Sequence, residues 1–315
     1  TYARLNVGGL NFEPGLVWIK NRDSGTSAHF LADSVRGGTK VLQSNSTGTE
    51  NTRSNHILSF NPDGFTLGAD GTSNYPTGNS FVAWAWRAGG PAVSNTDGTT
   101  TSQVSANTDY GFSIVTYTGG TSDATIGHGL GQTPKFYIAK ARTNSGYTDS
   151  WNVYHTSLGA SAYIKLNDPG GKTTPSTIWN ETAPTSTVFS VDANSNANEP
   201  NTDYVAYVWS EVAGYSKFGS YTGNGSDDGP FIETGFKPRW ILIKSHYASN
   251  PNAHSHWLIY DTKRSPSNEA DDLLLASGNN AEFSSAHTGI DILDNGFKLK
   301  ADTLGYANFN TNQYI

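Results

Sequence analysis

Short runs in which apolar and polar positions alternate, each bounded by Gly, Asn, Asp, Ser or Pro, fill this chain, and one of them occurs three times. A proline opens it, apolar and aromatic residues follow, and a lysine closes it, at 14–20, 134–140 and 238–244. In the first copy, alternation sets Leu16, Trp18 and Lys20 on one face and Val17 and Ile19 on the other. Both faces are largely apolar, which predicts a central strand covered on each side. The proline stands at its first residue, where a missing N–H is tolerated. Helical periodicity is nearly absent; only 269–276, with three consecutive leucines, predicts a single turn or short helix. The pattern as a whole predicts an all-β protein built from packed sheets.

Further anchors recur around that strand in a fixed order. A second run opens at His29, Trp151 and Trp257, and a third signal holds Phe65, Phe189 and Phe297. A closing run carries Trp84 and Trp86, then Tyr207 and Trp209, and in the last copy only Tyr314 and Ile315. The period of roughly one hundred residues exceeds that of solenoid repeats and equals a small domain. The expectation is three tandem β-sandwich domains, lectin-like, at 1–90, 109–214 and 215–315. A polar linker or β-hairpin arm joins the first two at 91–108, because Asp97-Gly98 is a hairpin turn signal. The first unit lacks the opening run 112–118 of the second, and the third stops within its closing run. The first is therefore expected to be truncated at its N-terminus, the third at its C-terminus, and the protein to be longer. Whether the units stand apart or share an interface is left open by the pattern.

Composition works mainly by exclusion. The 315 residues carry a net charge of −7 with 15% charged and 12% aromatic residues. No Lys/Arg run appears, so nucleic acid is not an expected partner. The absence of cysteine removes disulfides, thiol catalysis and thiolate metal sites. No window has the length of a membrane span and no signal-peptide pattern opens the chain, so membrane insertion is not expected. Methionine is absent even at position 1, which reads as an internal or processed segment.

Candidate chemistry is sparse. An acid and a guanidinium recur three residues apart after the second run, as Asp33 with Arg36 and Asp261 with Arg264; the middle unit has His155 and Leu158 there. One reading presents both groups to the hydroxyls of a sugar. The other is an ion pair or Asx-type turn closing the strand end, and it explains the recurrence as well and carries more weight. The three closing lysines read as solvated or snorkelling strand ends. Glycosidase chemistry needs two carboxylates about 5–10 Å apart. Glu13, Asp33, Glu181, Glu211, Glu233 and Asp261 are scattered acids with no local motif. No nucleophile elbow is present. His246, His254 and His256 cluster without a fourth ligand, and the oxygen-rich stretches Asp192-Ala-Asn194, Asp227-Asp228 and Asp271-Asp272 match no calcium loop. No catalytic residue, metal or cofactor is therefore assigned. Recognition loops are the remaining candidates: the Asn-rich segments 44–55, 194–201 and 247–255 differ most among the copies, and Tyr247 joins Asp33, Arg36, Asp261 and Arg264 as a candidate ligand-binding residue.

The phrases GLNFEPGLVWIKNRDSGTSAHFLADSVRGG, SFNPDGFTLG and FVAWAWRAGG, with GYSKFGSYTGNGSDDGPFIETGFKPRWILIK and HWLIYDTKR, carry a resemblance. They resemble a tandem domain of tail-fibre and tail-associated proteins of marine bacteriophages, cyanophages especially, over nearly the whole chain. The resemblance implies a virion location, extracellular action and contact with a host surface glycan or envelope protein beside other virion proteins. It implies a homo-oligomer, trimeric by analogy with tail fibres. It carries no binding residues across. The expected function is host-surface recognition without enzymatic activity, with a structural spacer and a glycan depolymerase as alternatives.

Overall fold

The structure, a computed structural model, describes residues 3–74, 78–143, 149–193, 195–246, 255–284, 289–300 and 306–315. It is all-β, with no helix among the described residues. Each unit contributes a lead strand, a return strand and a third strand in antiparallel order. In the first unit these are Leu16–Asn21, His29–Asp33 and Lys40–Gln43, and Phe81–Trp86 closes the other side of the lead strand. In the second they are Pro134–Ala141, Asn152–His155 and Ile164–Lys165, closed by Asp203–Ser210. In the third they are Trp240–Ile243, Leu258–Asp261 and Asp272–Leu275, and Lys244 exchanges backbone hydrogen bonds of 2.9 Å with Ile315. Equivalent positions in register, such as Trp18↔Trp84 and Ile138↔Tyr207, fix the alignment of the copies.

A smaller sheet packs on one face of each main sheet. It pairs Gly64–Leu67 with Leu5–Val7 and Ile57–Asn61 in the first unit, and Ala124–Gly127 with Val188–Val191 in the second. In the third it pairs Gly296–Leu299 with Phe231–Glu233 and Ile290–Leu293. The pleat divides each lead strand between two cores. Val17 and Ile19 face the first unit's own cluster with Phe30 and Phe65, whereas Leu16 and Trp18 turn away from it. Tyr137 and Ala139 face the second unit's cluster, and Ile241 and Ile243 that of the third.

The side chains turned away meet at the centre. Leu16, Trp18 and Trp84 of the first unit, Ile138, Trp151 and Tyr207 of the second, and Trp257, Ile259 and Leu274 of the third belong to one continuous apolar cluster. The units thus close into a ring with an approximate threefold relation. The same positions make the same contact at successive joints: Trp151 Nε1 donates to the Gln43 carbonyl of the first unit, and Trp257 Nε1 to the Lys165 carbonyl of the second, both at 2.8 Å. Covering both faces of every main sheet is what permits the apolar lead strands read from the sequence.

Two segments show how local pattern met tertiary context. The 91–108 stretch is a hairpin arm: Val93–Asn95 pairs with Ser102–Asn107, which continues the second unit's sheet through Phe112–Thr118. Its turn needs Gly98, where a Cβ would lie 2.1 Å from the Thr125 carbonyl oxygen. The expected helical turn at 269–276 is instead a strand, Asp272–Leu275. Leu274 enters the central cluster while Leu273 and Leu275 enter the third unit's own core. With both faces of the sheet buried, three consecutive leucines suit a strand, and period alone does not separate that from a helix.

Candidate functional site

The Asp/Arg pairs are joint elements. Asp33 Oδ1 accepts the backbone N–H groups of Val35 and Arg36, an Asx turn that ends the return strand. Its Oδ2 takes Arg36 Nε at 2.5 Å and the Tyr207 hydroxyl of the second unit at 2.8 Å. Arg36 spends its remaining donors on the Leu31 and Lys40 carbonyls, Glu50 and the Tyr207 oxygen. Glu50 in turn binds Arg142 of the second unit. Burial opposes ionisation here, but Asp33, Tyr207 and Glu50 around Arg36 hold its guanidinium charged, above its ordinary value. Burial would also raise Glu50, yet Arg142 and Arg36 keep it below the usual carboxylate range.

The joint between the third and first units repeats this design. Asp261 caps Lys263 and Arg264, binds Arg264 Nε at 2.6 Å and accepts Trp84 Nε1 at 3.0 Å. Arg264 reaches Glu282, which holds Arg22 of the first unit in a bidentate pair. Trp84 stands where the second unit has Tyr207, and Arg22 where it has Arg142. The side chains of Asp33 and Arg36 are fully buried and those of Asp261 and Arg264 nearly so. Almost nothing of either pair meets solvent, where a sugar would approach. At the remaining joint His155 and Leu158 replace the pair, and Lys172 N–H donates to the His246 carbonyl. Burial, then the neighbouring His246, pushes His155 down to about 4.

The closing lysines are not solvated strand ends. Lys20, Lys140 and Lys244 are wholly buried because the adjoining unit's loop covers each one. Their ammonium groups donate to carbonyls instead of water. Lys140 reaches Ala141 and, in the first unit, Thr47; Lys20 reaches Asn21, Ser24 and Asn279 of the third; Lys244 reaches Pro169 of the second. Burial lowers Lys20 and Lys140 to about 8 and Lys244 to about 7.

Next to the joint of the first and third units a cleft of about 440 Å³ opens. Its wall comes from Thr26, Ser27 and Ala28 before the return strand, Phe30 within it, Gln43, Asn45, Ser46 and Arg53 around and after the third strand, Thr72, and Asn279 of the third unit. Among these Asn45, Ser46 and Arg53 belong to the variable loop 44–55. Asn45 Oδ1 accepts the His29 N–H and thereby pins that loop to the strand. Eight lining side chains end in hydroxyl, amide or guanidinium groups, and none of the described lining residues is a carboxylate. The volume lies within the roughly 300–1,000 Å³ of small-molecule sites.

Other candidates distribute differently. Tyr247 and most of 247–255 lie outside the described residues, as do His254 and Asn194. His256 Nδ1 pairs with Ser277 Oγ at 2.8 Å. Among the described residues no three His, Asp or Glu side chains are placed to hold a metal, and no helix is long and apolar enough to cross a membrane. At the end of the lead strands remote from the lysines, Trp86, Trp209 and Trp240 are half-buried in edge-on contact, with Tyr110 and Tyr215 exposed and 5.1 Å apart. Arg53 is the residue that the sequence reading passed over. Its only signal was membership of a loop that differs among the copies.

Residues 2–315 match the family described as a domain of unknown function, DUF7483, and the chain belongs to that family. No curated protein and no solved structure matches the chain.

Proposed function

We propose that this DUF7483 domain is a non-catalytic recognition segment of a virion tail fibre, acting outside the cell, that holds a host-surface glycan in the cleft beside the joint of its first and third units. The observation that carries the reading is the cleft itself. Hydroxyl and amide side chains of two units converge there on a rigid scaffold, the equipment that orients a polyhydroxylated ligand. The placement of loop 44–55 in its wall supports it, because a loop that varies between otherwise equivalent units can set specificity without disturbing the core. The phrases shared with marine phage tail proteins support the virion location and the neighbouring virion proteins as partners. A homo-oligomer belongs to the reading, since linked weak sites gain avidity of about 10²–10⁴ without new contacts.

The absence of a carboxylate from the described cleft wall supports binding over hydrolysis, which uses two. A structural spacer is the second reading. It is favoured by the burial of Trp18, Trp84, Trp151, Trp179 and Trp257, which leaves few aromatic faces for a ligand. The deciding experiment presents the purified chain to a panel of bacterial surface polysaccharides and follows polysaccharide length in the same samples. Binding without shortening is expected. Shortening would establish a depolymerase, and no binding across the panel would leave the spacer.

A further inference from the structure

We propose that the ligand of this cleft is an acidic saccharide whose carboxylate is taken by the guanidinium of Arg53. The proposal rests on the glycan reading of the same cleft and adds the chemical class of the sugar. Arg53 is the one charged residue among those that line the cleft. Its guanidinium carbon lies over the Phe30 ring, 5.1 Å from its centre, a cation–π contact that holds the side chain against the wall. The backbone N–H of Arg53 donates to the Thr39 carbonyl at 2.8 Å, which anchors the base of the side chain.

The fork carries one loose ion contact, to Asp70. The arginines of the Asp/Arg pairs are saturated by contrast: Arg36 and Arg264 each bind two carboxylates and two or more further acceptors. Among the described residues Arg53 makes no side-chain hydrogen bond and has one ion contact, of 3.5 Å from Nη1 to Asp70 Oδ2, with its side chain 32% exposed. Asp70 also accepts the N–H and hydroxyl of Thr72 at 2.9 and 2.6 Å, through Oδ1, the oxygen that does not face Arg53. A carboxylate entering the cleft would share the planar cation with Asp70, and a planar guanidinium is the group that binds carboxylates best.

The surroundings point the same way. A second cation, the Lys20 ammonium, stands behind the wall and donates to the carbonyl of the lining residue Asn279. The remaining wall offers neutral hydroxyls and amides that suit ring hydroxyls. In a protein of net charge −7 the lining residues carry one cation and no carboxylate, with Asp70 adjoining that cation.

The test uses the full chain and two probes that differ only in charge: polygalacturonate and the same polymer with its carboxylates methyl-esterified. The wild-type chain is expected to bind the free acid about tenfold or more tightly than the ester, the factor that charge-assisted hydrogen bonds supply. Arg53→Gln is expected to abolish that preference, so that the free acid and the ester bind alike. Arg53→Lys should recover only part of it, because the point charge lacks the fork. Equal binding of both polymers, or a preference that survives Arg53→Gln, would overturn the acidic class and leave the glycan reading standing. Dextran sulfate bound as tightly by the wild type as by Arg53→Gln would mark an unspecific polyanion surface and overturn the proposal. Failure to bind either polymer or any neutral polysaccharide would overturn both readings together.

Discussion

The hydroxyl of Tyr207 donates to Asp33 Oδ2 at 2.8 Å while accepting Arg36 Nη2 at 2.9 Å, across the joint between the second and first units. One side chain thus completes the hydrogen bonding of a fully buried ion pair that belongs to another repeat. At the next joint an indole does half of this work: Trp84 Nε1 donates to Asp261 at 3.0 Å, and the Arg264 guanidinium lies 5.7 Å from the ring centre. The ring of units is held by apolar packing at its axis and by charge pairs whose last partners are supplied by a neighbour.

Removing that hydroxyl should be felt. Tyr207→Phe leaves a buried carboxylate and guanidinium each short of one partner, at a cost of about 1–3 kcal/mol. Tyr137 provides the control, being equally buried with a hydroxyl that has no partner among the described residues. Tyr137→Phe should be neutral or slightly stabilising. Urea midpoints of the two variants measure the difference, and equal losses would contradict the role given to the Tyr207 hydroxyl.

Arg36→Met probes the pair itself. It strands Asp33 beside Tyr207 in a place without solvent, and breaking a buried pair in this way costs about 3–5 kcal/mol. Changing Asp33 to Asn and Arg36 to Met together should cost less than the single change, because no charge is left unpaired. A double-mutant cycle reads this directly, and simple additivity of the two losses would refute it.

The shared central cluster makes the three units one cooperative body. Calorimetry of the full chain should give a single transition whose van't Hoff and calorimetric enthalpies agree. Trp151→Ala, which empties the axis and removes the bond to Gln43, should lower that one transition by about 3–5 kcal/mol. Splitting into separate transitions would show that the units are held together only loosely.

Stability should rise with pH from about 7 to about 10. Lys20, Lys140 and Lys244 hold protons less tightly when folded, at about 8, 8 and 7, than in the unfolded chain near about 10.4. In that window the unfolded state binds more protons, so raising the pH favours the fold. Above about pH 10 the sign reverses. Burial first of all holds the phenols of Tyr117, Tyr137 and Tyr207 well above their ordinary value, so unfolded phenols ionise earlier. Lys140→Met should remove up to about 1.4 kcal/mol per pH unit from the slope between pH 8 and 10. Urea midpoints at pH 7, 8, 9 and 10 test this, and an unchanged slope would exclude a lowered pKa for Lys140 in the fold.

What the sequence by itself determined is what local chemistry and period can express. Alternation at 14–20, 134–140 and 238–244 specifies strands with two apolar faces, Asp97-Gly98 specifies the arm's turn, and the recurring Asp with Arg three residues on specifies the Asx-turn pair that ends a return strand. A buried second face states only that something covers it. That the cover is the other two repeats, in a closed ring, was decided by tertiary structure, because no local pattern encodes which apolar face meets which. The lysines show this most plainly. Lys20, Lys140 and Lys244 end their strands like any solvated residue, and only the neighbouring unit's loop buries them. The three leucines at 273–275 became a strand because two cores were available to take alternate side chains. Arg53 stayed inconspicuous for the same reason: its loose contact with Asp70, its place over the Phe30 ring and the cleft exist only once residues far apart in the chain have been brought together.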